Sequence, residues 1–291
     1  MRIALVLAAL AAAAAQDDGV RYEHKFTRGA ARKFKIASTN KTSITMAGNE
    51  TSETRTSTTV IREEVLDVDD KGGAKMKTTF VELKMKTKRG DEETEYDSTK
   101  KEDQEKVEGD PMLALFTAYV GKSVRMGVSK LGETSRHDVS EVTDALEGNP
   151  MGGMVEGMVR QQIEMTSLVF PDKAVRKGDT WKRTATFAMA AIGNVKVDVE
   201  YTFAGVEKSG DVECAKVAAK TTVSFEEDDG AMVKIKVTSQ DTSSTYWFDP
   251  SKGELLRVST KSKMKMAIET GGGDMEQEQE STFELERAKD Y

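Results

Sequence analysis

Nucleophilic and general-base chemistry near neutral pH usually recruits histidine, whose unperturbed pKa is about 6.5. The 291-residue chain has two histidines, in Tyr22-Glu23-His24-Lys25 and Ser135-Arg136-His137-Asp138. Charged strand-like surroundings make both read as surface residues, and two histidines in separate elements give no metal-ligand spacing. Cys214 is the only cysteine; it reads as a small buried apolar residue and leaves no intramolecular disulfide. Carboxylates are plentiful, so a glycosidase-type pair is conceivable. Aromatic residues, however, make up only 6% of the chain, which leaves few sugar-stacking platforms, and Trp181 and Trp247 read as core anchors. Asp67-Val68-Asp69-Asp70-Lys71-Gly72-Gly73 imitates a calcium loop, but Lys71 stands where the third oxygen donor is needed and Thr78 where the bidentate glutamate belongs. It reads as a hairpin turn, as does Asp229-Gly230. Gly271-Gly272-Gly273 has neither a following Lys-Ser/Thr nor a helix, so it is no phosphate loop. These residues point to no catalytic group, no cofactor and no metal site, and so to a protein that is not an enzyme.

Methionine is the remaining chemistry-bearing type. Met151, Met154, Val155, Met158 and Val159 recur at i, i+3, i+4, i+7 and i+8, with Ile163 and Met165 extending the apolar side. Thioethers suit Cu(I), but the spacing that would gather ligands is the spacing of a helical core face, and methionine is the adaptable filler of cores and variable apolar surfaces. The sharper expectation is a helical cover over an apolar groove. Met85, Met264 and Met266, with Met76, would face Met151, Met154, Met158 and Met165 from the strands below and line a ligand site.

The segments that must carry these residues are mostly β-patterned. Phe34 and Ile36 oppose Lys33 and Lys35. Val81, Leu83 and Met85 oppose Glu82, Lys84 and Lys86, and Val195 to Phe203 and Leu255 to Ile268 alternate in the same way. Such period-two patterning makes one buried and one wet face, as in an antiparallel sheet. Val20–Phe26 and Ala31–Ser38 read as a hairpin around Arg28-Gly29, and Lys100–Glu108 as a charged loop. Short helices are expected over 110–119 and 140–166. The reading is mainly β: a large curved antiparallel sheet, half-barrel or barrel-like, with a few short helices on its apolar face and two weakly similar halves.

The start of the chain, Arg2 followed by an apolar run ending Ala13-Ala14-Ala15, has the form of a secretory signal peptide cut near Ala15. The expected organisation is then a signal peptide at 1–15, a first β-rich half at 16–139, a helical connector or cover at 140–170 and a second β-rich half at 171–291. Alternatively, 16–291 forms one domain. A secreted or periplasmic location follows. No later apolar run is long enough to span a bilayer as a helix. The formal charge of −7 is mixed along the chain, with no basic face for nucleic acid. Asn40-Lys41-Thr42 and Asn49-Glu50-Thr51 match the glycosylation pattern, which matters only in a host that glycosylates.

Several short motifs recur with the strands: Tyr96-Asp97-Ser98, then Phe170-Pro171-x-Lys173-x-Val175-x-x-Gly178-Asp179-x-Trp181, then Phe248-Asp249 with Gly253-Glu254-Leu255. Together they resemble a family of secreted bacterial β-rich proteins that is itself a domain of unknown function. That resemblance supplies no catalytic residues. The architecture is similar, at the level of fold, to periplasmic lipoprotein-carrier half-barrels. Two functions are expected: an apolar-ligand binder holding its ligand between sheet and helices, or a cell-envelope structural or protein-interaction module without a small ligand.

Overall fold

The structure, a computed structural model, describes residues 19–288 apart from 106, 108–112, 115–116, 148–156, 158, 160–161, 164–165, 190–191, 227–232 and 272. The signal-peptide expectation and the Asp229-Gly230 turn lie outside the described residues. Strands β1 (Ala31–Met46), β2 (Asn49–Val68), β3 (Ala74–Arg89), β4 (Glu92–Asp97), β5 (Ser123–Val128) and β6 (Thr134–Asp138) precede the connector. After it come β7 (Thr180–Met189), β8 (Gly193–Ser209), β9 (Val212–Glu226), β10 (Val233–Asp249), β11 (Glu254–Thr270) and β12 (Gly273–Arg287). Among the described residues the helices are α1 (Lys101–Glu105) and α2 (Ser140–Asp144), with further helical residues at 113, 114, 117, 157, 159, 162, 163 and 166.

All twelve strands belong to one antiparallel sheet, ordered β6-β5-β3-β2-β1-β12-β11-β10-β9-β8-β7, with β4 beside the far half of β3. Each half of the chain is a meander, and the two meet where the first strand pairs with the last, from Phe34↔Arg287 to Met46↔Met275. The sheet does not close, so β6 and β7 are its edges. Strand alternation is as the residue pattern requires. One face carries Lys263 and Lys265 opposite Glu280 and Glu278, and the other buries Phe34, Ile61, Val258, Tyr246 and Val217.

Two local expectations are corrected. Val20–Phe26 is not a hairpin strand: only Val20 forms a bridge, with Val175, and the segment runs irregularly over the covered face. It carries Tyr22 into the core. The charged stretch at 100–108 is not all loop, since Lys101–Glu105 forms a helical turn that buries Asp103. The Asp103 carboxylate accepts the backbone N–H of Asp97 at 2.9 Å, and this bond holds the turn.

Because β6 and β7 are opposite edges, the chain between them must traverse the whole width of the sheet. It does so across the face that would otherwise expose its apolar side chains. Leu168, Val169 and Phe170 are buried there. Such a two-layer arrangement is what a sheet with one apolar face needs.

The candidate site between sheet and connector

The connector is fixed by a junction of three segments far apart in sequence. Phe170 packs against Tyr22 at 5.5 Å between ring centroids and against Phe248 at 4.8 Å. The Trp181 Nε1–H donates to the Val169 carbonyl at 2.7 Å, and the Tyr201 hydroxyl to the Ser167 carbonyl at 3.0 Å. The turn at Gly132 closes in from β5–β6: the Phe170 N–H donates to Leu131 O at 2.8 Å and the His24 N–H to Lys130 O at 2.7 Å. Gly132 has φ +95°, and a Cβ there would lie 2.1 Å from the Leu168 carbonyl oxygen, closer than any side chain tolerates. Asp249 accepts the N–H groups of Ser251 and Lys252, shaping a turn whose Gly253 carbonyl receives the Lys25 N–H at 3.1 Å. The Phe170–Trp181 and Phe248–Leu255 motifs are therefore neighbours around Tyr22–Lys25, and their visible role is to lock the cover.

His24 departs from its surface reading. Its ring meets Phe26, Phe170 and Phe248 at 6.1, 5.8 and 5.1 Å, and Nε2 hydrogen-bonds the Leu168 carbonyl at 3.0 Å. Burial lowers its pKa to about 4, the Leu168 bond opposing the fall and the nearby Arg32 charge adding to it. A neutral imidazole donating to a backbone carbonyl is a structural group.

Between connector and sheet lies a partly open cavity of about 370 Å³. It adjoins a smaller one of about 200 Å³ that reaches His24, Phe34 and Leu168. The roof of the larger cavity is mainly apolar, with Val159 and Ile163, beside Gln162 and Thr166, from the connector and Phe80, Tyr119, Val124 and Met126 from the β3–β5 side. Tyr119 stacks at a tilt on Phe80, 4.9 Å between centroids, and burial pushes its hydroxyl up to about 12.

The floor follows from strand register. Thr59, Ile36, Leu285, Val258, Tyr246 and Val217 stand side by side on six successive strands. One row further from the aromatic junction come Ser57, Ser38, Phe283, Thr260, Ser244 and Ala219. In the next row come Arg55, Asn40, Ser281, Ser262, Thr242 and Thr221. The floor thus grades from apolar to hydroxyl-rich over three rows. Ser38 pairs with Ser57 at 2.8 Å, Thr242 with Ser262 at 2.6 Å and Ser244 with Thr260 at 2.9 Å. A hydroxyl has one hydrogen and two lone pairs, so each pair spends one hydrogen internally; Ser244 also bonds the Tyr246 hydroxyl, while the Ser38–Ser57 and Thr242–Ser262 pairs leave a second hydrogen for whatever fills the space. Hydrocarbon alone would leave such groups without partners, at about 1–3 kcal/mol for each.

Of the methionines expected to line a site, Met151, Met154, Met158 and Met165 lie outside the described residues. Met85 packs near Leu83 and Tyr96, beside a shallow polar hollow. Met264 and Met266 sit beyond the hydroxyl rows, opposite Gln279 and Gln277. The structure therefore does not bring these three to the cavity, whereas Met126 and, in the adjoining space, Met76 line it. The hydroxyl floor was missed. Its signal is phase: Ser38 and Asn40 continue the inward parity of Phe34 and Ile36, so the threonine- and serine-rich stretches are partly covered rather than wholly wet. Asn40 faces this cavity, while Asn49 is exposed at the β1–β2 turn. The Asp69 carboxylate is spent on the N–H groups of Lys71 and Gly73, at 2.9 and 2.8 Å, which makes the calcium-like loop a hairpin turn.

Fold and site together define an open antiparallel β-sheet protein whose covered face holds a cavity beneath a crossing connector. Residues 151–287 match the model of a family of unknown function (DUF6263); the match covers the end of the connector and the whole second meander. No curated protein sequence matches the chain. Among solved structures, one describing lipid–protein interactions in lipovitellin is 11% identical with a TM-score of 0.49, over 91% of this chain and 26% of that one. A DUF1329 family protein from Desulfovibrio piger is 10% identical, TM-score 0.16, over 85% and 83%. A putative outer membrane lipoprotein-sorting protein domain from Vibrio parahaemolyticus is 12% identical, TM-score 0.13, over 88% and 83%. All three scores lie below 0.5, and the functional reading rests on this chain's own residues. Among the described residues, no helix is long and apolar enough to cross a membrane.

Proposed function

We propose that the protein is a non-enzymatic, extracytoplasmic binding protein that holds an apolar ligand between the covered face of its sheet and the connector. One observation carries the reading: the space beneath the connector is a cavity of about 370 Å³ with a mainly apolar roof and an adjoining, mainly apolar arm, a size and lining that suit a small ligand. A solidly packed interior would have served a purely structural sheet better, because empty apolar space destabilises by withholding contacts. The non-enzymatic part is supported by the use of His24 and Asp249 in holding backbone, and the location by the signal-type sequence at 1–15.

The test is native mass spectrometry of protein taken from its own compartment, before and after organic extraction. A stoichiometric adduct that extraction removes, on a chain beginning at Gln16, is expected. A bare mass that stays bare after incubation with a total lipid extract refutes the binding reading and leaves the cell-envelope interaction module. A chain retaining Met1 refutes the extracytoplasmic part.

A further inference from the structure

In a chain of which 32% is Asp, Glu, Lys or Arg, the lining of the larger cavity contains none of the four among the described residues. Its polar groups are neutral: the hydroxyls of Ser38, Ser57, Thr260 and Ser262 and the amides of Asn40 and Gln162. The nearest charges in the strand rows and in the adjoining arm are already matched. Arg55, next to Asn40 in register, is bonded to Glu53. Arg32 is 2.9 Å from Glu63 and 3.7 Å from Glu254. Building on the binding reading above, we infer that this cavity takes an uncharged amphiphile. Its hydroxyl- or ester-bearing head lies on the serine and threonine rows, and its apolar chain lies under Ile163 and along the arm toward Phe34 and Leu168.

The argument is one of matching. A carboxylate or phosphate placed on this floor would meet, among the described residues of the floor rows, only Arg55, whose guanidinium is already paired with Glu53, and a buried charge needs a partner of opposite sign. A bare hydrocarbon would strand the spare hydrogens of the Ser38–Ser57 and Thr242–Ser262 pairs. A polyol or ester head both donates and accepts, which is what a row of hydroxyls can answer. The gradient also fixes direction, because Ile36 and Leu285 lie one row nearer the aromatic junction than Ser38 and Phe283.

The experiment titrates the full secreted chain, delipidated, with four probes sharing an eighteen-carbon chain: 1-monooleoylglycerol, oleate, oleoyl-lysophosphatidylglycerol and octadecene. Competition with a fluorescent monoacyl probe is the readout. Monooleoylglycerol is expected to bind at least about tenfold more tightly than each of the others, which is about 1.4 kcal/mol. Equal or tighter binding of oleate or the lysophospholipid overturns the neutral-head inference while leaving the apolar-ligand reading standing, and so does octadecene matching monooleoylglycerol. Binding of none of the four overturns both. Ser38→Ala with Ser57→Ala, and separately Thr242→Val with Ser262→Ala, remove hydroxyl pairs together with both of their members. Each is expected to narrow the preference for monooleoylglycerol over octadecene by about tenfold. An unchanged ratio in both folded variants overturns the placement of the head, and the wild-type panel decides the class of ligand even where a variant does not fold.

Discussion

Gly132 tests the junction because a second glycine supplies its control. Gly132 and Gly178 have nearly the same φ, +95° and +94°, in a region where an L side chain is strained by about 1–2 kcal/mol. Their surroundings differ. A Cβ on Gly178 meets nothing within 4 Å, whereas one on Gly132 would lie 2.1 Å from Leu168 O and 2.8 Å from His24 Nε2. Gly132→Ala must therefore push the Leu168 carbonyl away. That threatens the His24–Leu168 bond and the Phe170 N–H to Leu131 O bond, each contributing about 1 kcal/mol. The expected loss is about 4 kcal/mol for Gly132→Ala and about 1–2 kcal/mol for Gly178→Ala. Equilibrium urea unfolding of both variants measures it, with the slope checked so that only the midpoint has moved. Equal losses in the two variants would refute the claim that the Gly132 turn is pressed against the connector.

Other outcomes follow from the same packing. Phe170→Ala removes a ring buried among Tyr22, His24, Trp181 and Phe248 and should cost about 3–5 kcal/mol in urea unfolding; a loss below that of an ordinary surface change would contradict the burial. Trp181→Phe keeps the ring but abandons the Val169 carbonyl, for a loss of about 1–3 kcal/mol, checked in the same way. His24 has a folded pKa of about 4, below its ordinary 6.5. Its stabilising effect is complete above pH 6.5 and declines as pH falls toward 4, by up to about 3 kcal/mol. Urea midpoints at pH 7.5 and 4.5 should fall together less in His24→Gln than in the wild type, and parallel falls would exclude His24 as the cause. Lys263→Met breaks an exposed pair with Glu280 and should change stability by less than about 1 kcal/mol, a ceiling that calorimetry can test.

The sheet was legible because period-two patterning is written residue by residue: Val195 to Phe203 need only their own sequence to say which side is wet. Strand extent was less visible. The first strand was read as Ala31–Ser38, yet β1 runs on through Asn40 to Met46, since a polar residue on the covered face ends an apolar pattern without ending a strand. Tyr22 and His24 were misread because apolar and charged residues alternate at 20–26 as they do in strands, and only the tertiary fold shows that this segment crosses over the sheet. The cover was legible as a dividing stretch. Its opposite-edge connection was not, because pairing of the first strand with the last is a long-range property. The hydroxyl floor needed both inward parity and inter-strand register, and the second of these is not in any local window.

The pairing of β1 with β12 also sets the order in which the protein can be made. During vectorial synthesis β1 to β3 can pair at once, but the other edge of β1 has no partner until nearly all the chain has emerged. Until then the two meanders expose the long edges of β1 and β11, and open edges of this kind invite pairing with other chains. Contacts of such sequence separation also slow folding. A chaperone that shields β1, or export of the chain before it folds, would serve this topology, and truncation before Gly273 should yield an aggregating two-part chain rather than a shorter sheet.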